Sequence, residues 1–206
     1  DAAKRGKLRG MGLSTIIEAT GAGVFPKDQV AIDVDAEGNL AVHTVSMSSG
    51  QGHETTFAAV VADTLGVPHE MVTLRESDPA HVLVGNHTGG SRSMAGAGSV
   101  CKLAAQKLIE QAKPFAAEEL ELEPSQVDYG DGAFRSRDGE KMIAFEQLAQ
   151  KLAGRHPHPL NTLAEASVGS TWPNGCPIAE VEVDPDTGVT EIASYVAVDD
   201  SGTVIN

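Results

Sequence analysis

Short runs of alternating apolar and polar residues constrain the fold of this chain most. Residues 30–35 and 40–47 alternate on either side of the turn AEGN, in which glycine and asparagine tolerate positive φ. Residues 178–184 and 189–198 do the same around the turn PDTG. A period of two is typical of strands that bury one face, so the sequence predicts two hairpins.

Helical spacing separates these hairpins. Apolar residues recur every three or four positions in residues 57–65, where Gly66 is suited to end the helix and Pro68 to prevent its continuation. Further helices are predicted at 94–112, 116–122 and 145–152, and further strands at 12–18, 71–76 and 127–137. The predicted fold class is therefore α+β, with small mixed or antiparallel sheets flanked by helices.

The 206 residues suit one domain or two closely packed lobes. We expect two lobes. Residues 1–49 with 165–206 would form a β-rich lobe, and residues 50–164 an α/β lobe.

Charge and composition exclude several classes of function. A formal net charge of −14 opposes general attraction to nucleic acids and anionic membranes. No run approaches the roughly 20 apolar residues that span a bilayer, and the first residues lack the apolar core of a signal peptide. We therefore expect a cytoplasmic protein with no nucleic-acid partner and no membrane insertion. Cys101 and Cys176 lack the spacing of a disulfide framework or a thiolate zinc site.

The first candidate site is GQGH, residues 50–53, at the junction of a strand and a helix. Free backbone N–H groups at a helix start favour an anionic or accepting ligand, and the Gln51 amide can donate and accept at once. The alternative is a tight turn with a helix cap, which the local sequence alone favours.

The second candidate is TGGSRS, residues 88–93, whose hydroxyls precede another helix and whose Arg92 supplies a fork of donors. A capped loop, with Ser91 or Ser93 at the helix start, explains the local sequence equally well. No Walker A motif is present, and the glycines around Ala97 complete no dinucleotide fingerprint, so they predict close packing.

The spacing of the histidines in the central part of the chain does not indicate a metal site. His53, His81 and His87 have irregular spacing, and no H-E-x-x-H pattern occurs.

Taken together and in order, GQGHET at 50–55, LGVP at 65–68 and TGGSRS at 88–93 resemble the large molybdenum subunit of the xanthine dehydrogenase, aldehyde oxidase and aerobic carbon monoxide dehydrogenase family. Residues 178–188 and 199–206 resemble that subunit's hairpin and following strand, so the likeness covers nearly the whole chain. It implies that residues 1–206 are part of a molybdopterin-binding domain in a longer subunit.

The resemblance also assigns residues. The cofactor-binding positions that it implies are Gly50, Gln51, Gly52, His53, Gly90, Ser91, Arg92 and Ser93, the first four against the metal and pterin and the others against the pterin or its phosphate tail. The cofactor would be molybdenum-molybdopterin, plain or as the cytosine dinucleotide. It would oxidise a carbonyl, an N-heterocycle or carbon monoxide, with the remainder of the subunit and iron–sulfur and flavin units as partners.

Departures from the family limit this assignment. The family's catalytic glutamate lies beyond residue 206, and its upstream glycine/phenylalanine segment has no counterpart; Glu54 does not match the base. We therefore predict no catalytic residue and no protein ligand to a metal here. The isolated chain is expected to be inactive and to lack the cofactor.

Two other functions compete with this interpretation. A stand-alone, non-catalytic binding or assembly module of the same fold is the alternative. A hydrolase using His53 or His87 with Ser91 or Ser93 is disfavoured, because no G-x-S-x-G motif occurs.

Overall fold

The structure is a computed structural model that describes residues 1–21, 23–200 and 202–203. The chain divides into two compact units. The terminal unit comprises Asp1–Thr20 with Ser170–Asn206, and the central unit comprises Gly21–Gly169.

Strands and helices alternate irregularly along the chain. The strands are β1 (Leu8–Leu13), β2 (Ile16–Ile17), β3 (Asp28–Val34), β4 (Leu40–Thr44), β5 (Val72–Glu76), β6 (Val127–Gly130), β7 (Ala133–Ser136), β8 (Met142–Ala144), β9 (Thr162–Ala166), β10 (Asn174–Val183) and β11 (Thr190–Asp200). The α-helices are α1 (His53–Leu65), α2 (Ser99–Leu120) and α3 (Phe145–Leu152). None of these helices combines the length and apolar character that crossing a membrane requires.

The central unit is built on a four-stranded sheet in the order β5-β4-β3-β9. β3 pairs antiparallel with β4 and β9, whereas β5 runs parallel to β4 because α1 provides the crossover. Strands β6, β7 and β8 form a second, antiparallel sheet. Helices α1 and α2 pack on each other and on the larger sheet, and the core lies between these layers. Its largest fully buried side chains include Phe57, Phe134, Phe145, Ile32, Leu40, Leu65, Leu108 and Leu148.

Helix α1 ends as predicted. Gly66 has φ 65°, and a Cβ at this position would lie 2.7 Å from the backbone nitrogen of Gly132, so both conformation and space require glycine. Helix α2 is longer than predicted. It follows a π-helical turn at Met94–Gly98 and continues past Pro114, so the predicted separate turn at 116–122 belongs to it up to Leu120.

The terminal unit consists of a sheet in which β1, β10 and β11 lie side by side and β2 extends beside β10. The hairpin of β10 and β11 confirms the prediction for residues 178–198, whereas the strand predicted at 12–18 is divided between β1 and β2. Every residue of β1 and β11 is exposed.

The units differ from the predicted lobes. Residues 21–49 belong to the central unit, because β3 pairs with β9 and β4 pairs with β5. Both pairings join segments that are distant in sequence, and no local pattern encodes them. The α+β class with small mixed and antiparallel sheets is confirmed.

Candidate functional site

The two candidate segments line one cavity of about 390 Å³ in the central unit. Gln51 and His53 come from the start of α1, and Ser91, Arg92 and Ser93 come from the loop before the π-helical turn. Residues that lie about 40 positions apart in the chain therefore meet, as a shared ligand site requires.

Gly50 and Gly52 are required by the backbone conformation. Their φ angles are 99° and 78°, in the left-handed region that side chains disfavour, and Gly52 directly precedes α1. A Cβ at either position would meet no atom within 4 Å. The chain thus makes a sharp turn into the helix and leaves open space beside it.

The Gln51 amide is bonded within this turn. Its Oε1 accepts hydrogen bonds from the N–H and hydroxyl of Ser49. Its Nε2 donates to the Met47 carbonyl at 3.3 Å and lies 3.1 Å from His53 Nε2. Gln51 is exposed, so a ligand contact from this amide exchanges one of these local bonds for a bond to the ligand.

His53 is buried, and both of its ring nitrogens have partners. Nδ1 lies 3.3 Å from the Ser46 carbonyl, which can only accept, so Nδ1 carries the proton and Nε2 accepts from Gln51. The ring stacks on Phe57 with centroids 4.5 Å apart. His53 therefore serves as a fixed acceptor that orients Gln51.

The loop with residues 88–93 is tied to the same turn. Thr88 Oγ1 donates to the Met47 carbonyl at 2.5 Å, so this oxygen accepts from both candidate segments. Gly90 and Ser91 have φ 65° and 51°, a conformation that is uncommon for serine. Ser93 makes no side-chain cap hydrogen bond, so the capped-loop alternative is not what the structure shows for this residue.

Arg92 is a charged side chain of the cavity that is nevertheless buried, with only 3% of its surface exposed. Its Nη2 donates to Asp28 Oδ2, and Asp28 Oδ1 accepts from the Asn86 backbone N–H at 2.8 Å. A Cβ on Gly96 would lie 2.5 Å from Arg92 Nη2 and 2.9 Å from Asp28 Oδ2, so only glycine fits there. Asp28, Asn86 and Gly96 together fix the guanidinium.

Two donors of this guanidinium are left over. Arg92 Nε and Nη1 are buried and have no hydrogen-bond partner among the described residues. A buried donor without a partner costs about 1–3 kcal/mol, and a positively charged donor pairs best with an anionic or strongly accepting oxygen. The donor set of the cavity therefore suits a ligand with phosphate or oxo groups.

The sequence motif predicts Arg92 as a candidate but does not indicate the residues that hold its side chain. Asp28 begins a buried strand and Asn86 lies in a long loop, so neither carries a local signal. The close packing predicted around Ala97 is present at Gly96.

Comparison with known proteins identifies the family. The family model described as molybdopterin cofactor-binding domain matches residues 1–206. The chain belongs to this family. The likeness to the large molybdenum subunits is thereby confirmed, as is the predicted cofactor class.

Two relatives are named as subunits of dehydrogenases. The chain is 32% identical to the carbon monoxide dehydrogenase large chain of Hydrogenophaga pseudoflava, over 97% of the chain and 27% of that protein. It is 29% identical to the gamma subunit of the 6-hydroxypseudooxynicotine dehydrogenase complex of Paenarthrobacter nicotinovorans, over 98% of the chain and 26% of that protein.

A solved structure shows the same fold. Reconstituted carbon monoxide dehydrogenase from Oligotropha carboxidovorans matches with a TM-score of 0.81 and 30% identity, over 100% of this chain and 28% of that one. The chain thus spans about a quarter of the length of the relatives that it matches. The eight cofactor-binding positions remain a prediction.

Proposed function

We propose that this chain forms one wall of the molybdopterin site of a molybdenum hydroxylase. The substrate of the complete enzyme would be a carbonyl compound, an N-heterocycle or carbon monoxide. Its partners would be the remainder of the subunit and iron–sulfur and flavin units, and its location the cytoplasm. The observation that carries the proposal is that both predicted segments line one cavity, and that one lining residue, Arg92, has two buried donors without a partner among the described residues.

Arg92 would bind an oxygen of the pterin or of its phosphate tail. The pairing with Asp28 offsets the buried charge and orients the guanidinium, so Nε and Nη1 stay in place before the ligand arrives. Such preorganisation lowers the entropy cost of binding. Ser91 and Ser93 line the same cavity. The Ser93 hydroxyl donates to Thr88 Oγ1 at 3.4 Å, so a contact with the ligand would exchange this bond, and the Ser91 hydroxyl would add a donor.

The start of α1 would contact the metal end of the cofactor. The first backbone N–H groups of a helix have no intrahelical acceptor, and they begin here after Gly52. His53 holds the Gln51 amide by accepting from its Nε2. Bound molybdopterin supplies the two-electron oxidation chemistry; the residues of this chain bind it and orient it.

The test is Arg92→Lys in the full-length protein. Lysine keeps a positive charge opposite Asp28 but has no counterpart of the Nε and Nη1 donors. We expect this variant to lose most of its molybdenum and its turnover with an artificial electron acceptor. Arg135→Lys is the matched control, because the Arg135 guanidinium donates to the Gly130 carbonyl and does not line the cavity.

Folding must be separated from cofactor binding. Thermal unfolding of each variant, with metal content by elemental analysis, makes this separation. Unchanged molybdenum in Arg92→Lys would remove Arg92 from the site. A wild-type full-length protein with neither molybdenum nor turnover would favour the alternative instead, a non-catalytic binding or assembly module that kept the fold and lost the cofactor. Gln51→Ala should have a smaller effect on molybdenum content, because its amide is already bonded within the chain.

A further inference from the structure

A second cluster of polar side chains lies outside the cavity, on the four-stranded sheet of the central unit. It consists of Asp33 on β3, His43 on β4 and His81 in the loop after β5. Asp33 Oδ2 lies 2.8 Å from His81 Nε2 and 3.3 Å from His43 Nε2. None of the three residues lines the cavity that contains Arg92.

Sheet register explains why these residues meet. Asp33 pairs with Ala41 across the antiparallel strands, and His43 follows two residues later, so the two side chains share one face as diagonal neighbours. His81 then approaches from the loop and stacks on His43, with ring centroids 3.6 Å apart and planes 17° apart. The three residues come from three separate segments, which is why spacing in the sequence did not reveal them.

The cluster is poorly satisfied by its own hydrogen bonds. His43 is 4% exposed, and neither of its ring nitrogens has a hydrogen-bond partner among the described residues. The 3.3 Å contact with Asp33 lacks hydrogen-bond geometry, and His81 Nδ1 is buried without a partner as well. Since a neutral imidazole has one donor and one acceptor nitrogen, a buried ring that uses neither is costly.

We propose that Asp33, His43 and His81 bind a divalent transition-metal ion such as Zn²⁺, through the two Nε2 atoms and Oδ2. All three ligand atoms lie within 4.8 Å of one another. Zinc binds imidazole nitrogen and carboxylate oxygen at about 2.0–2.2 Å and lies close to the plane of each imidazole ligand. Binding therefore requires His81 to rotate out of its stack on His43 and to exchange its hydrogen bond with Asp33 for a bond to the ion. The ion would bond to His43 Nε2, which has no hydrogen-bond partner among the described residues.

The local charges agree with a cation. Around His43, a protonated His81 and Arg75 contribute positive charge, and Asp33 and Asp78 contribute negative charge. Since a metal-bound imidazole is neutral, two carboxylates oppose one guanidinium when His81 is a ligand. Two nitrogens and one oxygen leave the fourth position of a tetrahedral zinc site to water. The ion would fasten the loop after β5 to the sheet, and the same loop leads to Arg92. Its role is thus to hold a loop, and it is independent of the molybdenum cofactor.

Zinc titration of the full-length protein, after removal of loosely bound metal with a chelator, tests the site. We expect zinc to bind the wild type at a site whose affinity falls by about tenfold or more in His81→Asn, since even indirect partners of a metal ligand are worth that much. The matched control is His69→Asn, an exposed histidine of the same unit whose Nε2 contacts the Thr55 carbonyl. Its zinc affinity should equal that of the wild type.

Asp33→Asn gives a second, independent variant, because it keeps the size of the side chain and removes the anionic ligand. Anomalous diffraction from zinc-soaked crystals locates the ion directly. A peak among the three ligand atoms supports the proposal. Equal zinc affinity in the wild type, His81→Asn and Asp33→Asn, or a crystal with zinc elsewhere only, overturns it and leaves a hydrogen-bonded His81–Asp33 pair.

Discussion

The two units of this chain differ in how far they bury their apolar side chains. The central unit encloses a core between its helices and its larger sheet. In the terminal unit, adjacent residues such as Tyr195 and Val196 point to opposite faces of β11, yet they are 61% and 54% exposed. The terminal sheet is therefore held by strand pairing and ion pairs, and the central unit by burial. The stability of the terminal sheet should therefore respond to changes of charge, and the stability of the central unit to changes in the volume of buried side chains.

The largest contrast is expected from removing an aromatic ring in each unit. Phe134 in β7 is fully buried, so Phe134→Ala should lower the free energy of unfolding by about 3–5 kcal/mol. Tyr195→Ala should cost under about 0.5 kcal/mol, as is usual for exposed positions. Denaturant unfolding of both variants of this chain measures the difference. A similar loss in both would show that the terminal sheet has a core of its own.

A methyl group added to one glycine in each unit should give a smaller contrast. Gly96→Ala forces the new Cβ against Arg92 and Asp28 and should cost about 1–3 kcal/mol, as overpacking does. Helix propensity alone would give the opposite sign, a gain of up to about 1 kcal/mol. Gly12→Ala in β1 meets no atom within 4 Å and should change stability by less than about 0.5 kcal/mol.

Molybdenum content provides a second measurement for the Gly96→Ala and Gly12→Ala pair. In the full-length protein, Gly96→Ala should also lose cofactor, because displacement of the Arg92 guanidinium moves its free donors. Gly12→Ala should retain it. A stable Gly96→Ala protein with unchanged molybdenum would mean that the fixed position of Arg92 does not matter for binding.

The smallest effect is expected from pH, and it concerns the terminal unit. Hydrogen bonds from Arg5, supported by Arg9, hold the pKa of the Glu182 carboxyl below its ordinary value of 4.5. The folded state therefore favours ionised Glu182. Its contacts with Arg5 and Arg9 stabilise the fold above pH 4.5, and this stabilisation is lost as the pH falls through the lowered pKa.

Glu182→Gln should therefore flatten the loss of stability between about pH 5 and pH 3. Glu18→Gln is the matched control, because Glu18 belongs to the same unit and forms no ion pair among the described residues. Unfolding midpoints across this range provide the measurement. Parallel curves for the wild type and Glu182→Gln would contradict the assigned role.

How far the sequence predicts this molecule depends on the range of the interactions. Hairpins and α1 were predicted because their turns and their terminating Gly66 are local signals. The unit boundary was not, because β3 finds β9 across more than 120 residues of chain. The same holds at the candidate site, where the motif predicts Arg92, whereas its partner Asp28 lies 64 positions away and was not predicted. The helices predicted separately at 94–112 and 116–122 are joined in α2, which continues past Pro114.

The open edge of β11 also bears on how the protein is made. Among the described residues β11 pairs with β10 alone, so its other edge presents unpaired backbone N–H and C=O groups beside exposed apolar side chains. Such an edge is a template for strands of other molecules. Overproduction of this chain by itself will therefore favour aggregation that grows with concentration, and expression at low temperature with a chaperone will increase the yield of monomer.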